Sequence, residues 1–184
     1  MNPCFIDAHC HADLLLHRDS SFPKPYLDRK CGGISWSFAN GIASWRAYPE
    51  YWERLRTAAE TLNRKGLAFY YLVGIHPRCI PEDLRKEKAL PIDLAQAMQK
   101  HLTDPLCLGL GEIGLEKATP VEDRVLRWQL ERARGHLPEH KRIGVHTPRA
   151  NKEQVTRELL ILLQDFPLLK DQVLIDHVTP ETCP

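Results

Sequence analysis

Apolar residues fall into six short runs, and the stretches between most of them repeat with a period near 3.6. The runs cover residues 4–8, 33–38, 69–73, 106–110, 142–145 and 173–176. Their length and their β-branched and aromatic content predict strands. The run over 33–38 alternates, as a half-buried strand does. Helices are predicted over 51–64, 93–102, 121–137 and 151–163. The first carries Leu55, Ala58, Ala59 and Leu62 on one face. The third carries Leu126, Leu130, Ala133 and Leu137 on one face. Asn151, after Pro148, is the expected N-cap of the fourth. Residues 20–25 hold two prolines and are predicted as a loop.

Strand alternating with helix predicts a parallel sheet with crossover helices. Successive strand centres lie 30 to 38 residues apart, the size of a βα unit. The expected fold is α/β of the (β/α)8 TIM-barrel type, with about six of the eight units in a single domain over 1–184. Such a barrel usually runs to about 250 residues, so the expectation is a domain incomplete at its C-terminal side. The near-continuous apolar runs suit strands covered on both faces. A doubly wound open sheet is the alternative, but it concentrates its chemistry at one switch point. Here polar residues close five different runs.

Composition narrows the setting. Lys and Arg number 25 against 24 Asp and Glu, a net charge of +1, so no global field draws the chain to nucleic acid or to an anionic membrane. Hydrophobic residues at 43% and charged residues at 27% are ordinary for a globular chain. The longest nearly apolar run, 159–163, is far too short to span a bilayer, and no membrane partner is expected. The six cysteines are scattered with no CxxC pair. With no signal peptide at the N-terminus they read as reduced thiols of a cytoplasmic protein. Oligomeric state leaves no trace in the sequence.

The nine histidines carry the chemistry. His9 and His11 sit two apart at a strand end, where i and i+2 face the same side and both rings can grip one ion. Cys10 between them should point away. Glu112 ends another strand among glycines, where a carboxylate needs a cation or donors. His146 and His177 close two further strands, and Asp176 can orient a neighbouring ring. His76, in Gly74-Ile75-His76-Pro77, is a candidate for substrate contact or proton transfer. Glu116 is expected at the surface or behind a ligand. His17, His101, His136 and His140 are expected at the surface. A His and carboxylate set suits Zn²⁺, Mn²⁺ or a similar divalent ion, and points to metal-assisted hydrolysis. The aromatic stretch 36–52 is expected to pack a long loop and a helix in preference to stacking on a flat substrate.

These pieces resemble the TatD-type metal-dependent hydrolases of the amidohydrolase superfamily. The matching segments are Phe5-Ile6-Asp7-Ala8-His9-Cys10-His11, Gly74-Ile75-His76-Pro77, Gly111-Glu112-Ile113-Gly114-Leu115-Glu116, Val145-His146 and Ile175-Asp176-His177. They occur in family order. The resemblance implies a (β/α)8 barrel and one or two divalent ions, Zn²⁺, Mn²⁺ or Mg²⁺. It implies His9, His11, Glu112, His146 and His177 as ligands, with Glu112 and His76 as the catalytic pair. It implies a phosphodiester substrate, with DNA as a partner. A small-molecule amide or lactone is the alternative substrate, and an inactive, shortened barrel the alternative to an enzyme. Three departures stand out. Glu116 replaces the family's usual Asp, Arg149 falls one place late after His146, and the late barrel Asp has no counterpart.

Overall fold

The computed structural model of the chain describes residues 5–19 and 21–183. Six strands form one sheet: β1 (Phe5–Cys10), β2 (Cys31–Ser35), β3 (Phe69–Val73), β4 (Cys107–Gly114), β5 (Arg142–His146) and β6 (Val173–Ile175). Every neighbouring pair is parallel and spatial order equals chain order. Each return therefore crosses over the sheet, and helices supply most of the crossovers. They are α1 (Ala12–Arg18), α2 (Pro23–Asp28), α3 (Tyr48–Arg64), α4 (Glu82–Lys86), α5 (Ile92–Leu102), α6 (Pro120–His136) and α7 (Lys152–Leu163). The sheet curls as a partial (β/α)8 barrel. Its curvature brings the C-terminal ends of β1 and β6 together, and His9 meets Asp176 across that mouth.

The long helix α3 shows how local sequence sets an element. Pro49 lies in its first turn, where its missing N–H costs no bond. Trp52, Leu55 and Leu62 are fully buried from its inner face. Burying each such side chain contributes about 1.5–3 kcal/mol. Gly66, with φ of 88°, ends it. Gly66 N–H bonds Asn63 C=O and Leu67 N–H bonds Leu62 C=O, the Schellman pairing that satisfies the last carbonyls. The core between these helices and the sheet also holds Tyr48, Phe69, Tyr71, Leu84, Leu94 and Met98.

Several expectations are corrected. The loop over 20–25 gives way to helix α2 from Pro23; both prolines sit in its first turn, where proline is tolerated. Residue 20 lies outside the described residues. Helices α1 and α4 carry no sequence signal strong enough to predict them, being 7 and 5 residues long. Asn151 does cap α7 by position, in a left-handed conformation, but its side chain makes no capping bond. The strands are not all covered on both faces: Phe5, Ile6 and Leu174 on the two outer strands are exposed. His101 is not a surface residue. It is buried, with Nδ1 2.9 Å from the Tyr71 hydroxyl. The aromatic stretch packs as expected, with Trp36, Trp45, Tyr48, Tyr51 and Trp52 all buried.

Candidate metal centre

Parallel order puts the C-terminal ends of all six strands on one rim. His9 is the next-to-last residue of β1 and His11 lies one residue beyond the strand. His76 follows β3, Glu112 lies within β4, His146 ends β5, and Asp176 and His177 follow β6. β4 is longer than expected and carries Glu112 inside the strand. Two glycines allow the close approach. At Gly114, with φ of 145°, a Cβ would run into the His146 carbonyl. At Gly144, a Cβ would stand 2.5 Å from the Trp36 ring.

Glu112 is the centre. It is 3% exposed, and three imidazoles face its two oxygens. His146 Nδ1 is 2.7 Å from Oε1, His76 Nε2 is 3.3 Å from Oε1, and His9 Nε2 is 3.6 Å from Oε2. His11 joins His9 and Glu112 in one group whose ligand atoms lie within 4.8 Å of one another, and His76, Glu112 and His146 form a second.

The outward contacts of each ring decide what it offers inward. His11 Nδ1 donates to the Trp36 carbonyl at 2.9 Å, which leaves Nε2 with its lone pair. His9 Nδ1 meets the Asp176 carboxylate, which leaves His9 Nε2 toward Glu112. His146 Nε2 meets Glu116 at 2.7 Å, which leaves Nδ1 toward Glu112. These are the carboxylate or carbonyl supports that orient metal-binding imidazoles. His76 differs. Its Nδ1 accepts the Arg78 N–H at 3.0 Å, so the neutral ring carries its proton on Nε2 and donates to Glu112.

The electrostatics agree. Burial would raise the Glu112 carboxyl, but the His146, His76 and His9 imidazoles around it outweigh burial and hold it well below the usual carboxylate range. Burial opposes charge on His9 and His146 too. Glu112, with Asp176 behind His9 and Glu116 behind His146, outweighs it and raises both above the ordinary histidine value. His76 goes the other way: burial dominates and lowers it, only partly offset by Glu112. It is 2% exposed and faces Glu112 from beneath the rim.

The donor set fits a divalent ion. His146 Nδ1 and Asp176 Oδ2 are buried polar atoms with no well-directed hydrogen bond among the described residues. Imidazoles gathered on one buried carboxylate offer the nitrogen and oxygen donors that a divalent cation takes. His177 stands apart from Glu112. It is 54% exposed, its Nε2 is 3.1 Å from Asp176, and it groups with His9 and Asp176. Cys10 turns away, its thiol donating to the Ile34 carbonyl. Sequence reasoning missed the role of Trp36. Its ring stacks on His9 at 4.2 Å and 11°, with its indole N–H donating to the Ala8 carbonyl. The aromatic cluster was visible in the sequence, but its partner was not.

A sequence profile of the TatD related DNase family matches residues 6–167. The chain belongs to that family. A curated relative, an uncharacterized metal-dependent hydrolase of Methanocaldococcus jannaschii, is 28% identical over 96% of this chain. The chain spans 66% of that relative's length. A TatD-like protein of Archaeoglobus fulgidus, solved by crystallography, superposes with a TM-score of 0.76 at 28% identity. It covers 96% of this chain, and the match covers 70% of the solved chain. No described helix is long and apolar enough to cross a membrane.

Proposed function

We propose that this TatD family chain is a metal-dependent hydrolase acting on phosphodiesters, with DNA as the substrate class. The observation that carries the metal dependence is the buried Glu112, met by imidazoles whose outer nitrogens are already engaged. The family description and the relative's name support the hydrolase, and the family description supports the phosphodiester. His9, His11 and Glu112 would hold one divalent ion, Zn²⁺, Mn²⁺ or Mg²⁺. Glu112 and His146 would contribute to a second, and His177, grouped with His9 and Asp176, would offer a further ligand nitrogen at the rim. A bound ion supplies Lewis acidity toward a phosphoryl oxygen and toward water.

The chain's own groups have separable tasks. Glu112 keeps a full negative charge at neutral pH, because its neighbours stabilise the carboxylate. His76 positions Glu112 with an Nε2–H donor that its own backbone contact fixes. Asp176 and Glu116 hold His9 and His146 in one orientation. Preorganised rings cost no reorganisation when substrate arrives. The test is turnover of bis(p-nitrophenyl) phosphate and of single-stranded DNA, with Mn²⁺ or Mg²⁺ added to the folded protein. Cleavage that is lost in Glu112→Gln supports the proposal. Turnover of an amide or lactone with neither phosphodiester cleaved assigns the small-molecule alternative. No turnover of any of these with metal bound assigns an inactive barrel.

A further inference from the structure

Outside the Glu112 cluster the molecule holds a cleft of about 610 Å³ between α1, the segment after β2, and α3. Its volume lies within the range of small-molecule sites, roughly 300–1,000 Å³. Its walls are mainly apolar, with Phe38 and Tyr51 as the aromatic members. Its charged groups include one carboxylate, Asp13, and one guanidinium, Arg54.

Phe38 joins this cleft to the metal centre. Its ring lies 5.5 Å from His11 and 4.9 Å from His76, centroid to centroid, and it also lines the cleft. One aromatic ring therefore separates the two spaces. Its backbone is held by the buried Tyr51 hydroxyl, which accepts the Phe38 N–H at 2.8 Å. Arg54 is 58% exposed, pairs with Glu50 at 3.3 Å and lies over the Tyr51 ring at 5.4 Å; the i,i+4 surface pair exchanges partners at little cost.

We propose that this cleft receives the base of a nucleotide adjoining the phosphate that is cut, with Arg54 taking that nucleotide's flanking phosphate. The proposal rests on the phosphodiester function and extends it to a substrate subsite. An apolar slot with aromatic walls takes a flat heterocycle, because every base has a π face and stacking is sequence-tolerant. A guanidinium is suited to phosphate geometry. Asp13 offers an acceptor for an exocyclic amine and disfavours a phosphate in the slot itself. A wholly aliphatic occupant would leave both charged groups without a role.

The experiment measures binding without metal, so it does not depend on turnover. Deoxycytidine 5′-monophosphate and deoxyribose 5-phosphate are titrated into the protein in EDTA, followed by calorimetry and by amide chemical shifts. The nucleotide should bind about tenfold tighter than the base-free sugar phosphate, with shifts in α1 and α3. Thr57→Trp, an exposed position on the α3 wall, should fill the slot and weaken nucleotide binding about tenfold. Arg54→Ala, also exposed, should weaken both ligands. Circular dichroism checks that each variant is folded. Equal affinity for the two ligands, no saturable nucleotide binding, or unchanged binding in folded Thr57→Trp overturns the subsite. Turnover of bis(p-nitrophenyl) phosphate is followed in parallel. Turnover without cleft binding counts against the subsite alone. Cleft binding in a metal-loaded protein with no turnover counts against the phosphodiester function alone.

Discussion

His146 Nε2 lies 2.7 Å from Glu116 Oε2, and this contact decides which nitrogen of the ring is left for Glu112. Glu116 sits two residues beyond the end of β4 and is only partly exposed, so its charge acts on the ring at short range. Glu116→Gln keeps the shape and removes the charge. Divalent-metal affinity should fall by about 10–100-fold, as for other outer partners of ligating histidines. Equilibrium dialysis with elemental analysis measures this, and unchanged affinity would show that Glu116 does not support the site.

His76 tests the other kind of support. His76→Ala removes the donor to Glu112 and the acceptor for the Arg78 N–H, both in a closed environment. The expected loss is about 2 kcal/mol of stability, the cost of leaving buried polar groups unpaired. Urea denaturation of the metal-free protein reads it. A loss near zero would mean that water replaces the ring.

Gly144→Ala should displace Trp36, because the added Cβ would stand 2.5 Å from two atoms of its ring. That ring stacks on His9 and its carbonyl holds His11. Overpacking of this kind costs about 1–3 kcal/mol. The melting temperature should drop and metal affinity should weaken together. A drop in melting temperature with metal affinity intact would separate packing from site geometry.

His101 makes acid stability a local property of the α5–β3 contact. Burial is the largest influence and lowers its pKa; Glu53 and Asp104 pull it up, while Lys100 and Arg56 push it down. A histidine depressed in the folded state binds its proton more readily when unfolded. Its contribution is therefore fully present above the unfolded value, about 6.5, and is lost as pH falls toward the folded value. His101→Gln should flatten the decline in stability below pH about 6.5. Denaturation midpoints at a series of pH values check this, and an unchanged acid slope would refute it.

Much of this protein is legible in one dimension. Short apolar runs spaced 30 to 38 residues apart are enough for parallel βα units, since a crossover helix demands that length. Parallel order then obliges every strand to end on the same rim, so residues closing the runs, His9, Glu112 and His146, must gather there. Period two along a strand places His9 and His11 on one side and turns Cys10 to the other. Periodicity says which way a side chain points but not what stands opposite. Asp176 against His9, Trp36 stacked on that ring and His101 under Tyr71 join residues 27 to 167 positions apart, and each depends on how the sheet curls. Asp176 and Glu116 were legible as candidate supports, but which ring each one meets was out of reach of the pattern. The same holds for α2: its prolines break a helix in the middle but suit its first turn, and only the three-dimensional path of the chain from α1 to β2 selects between these.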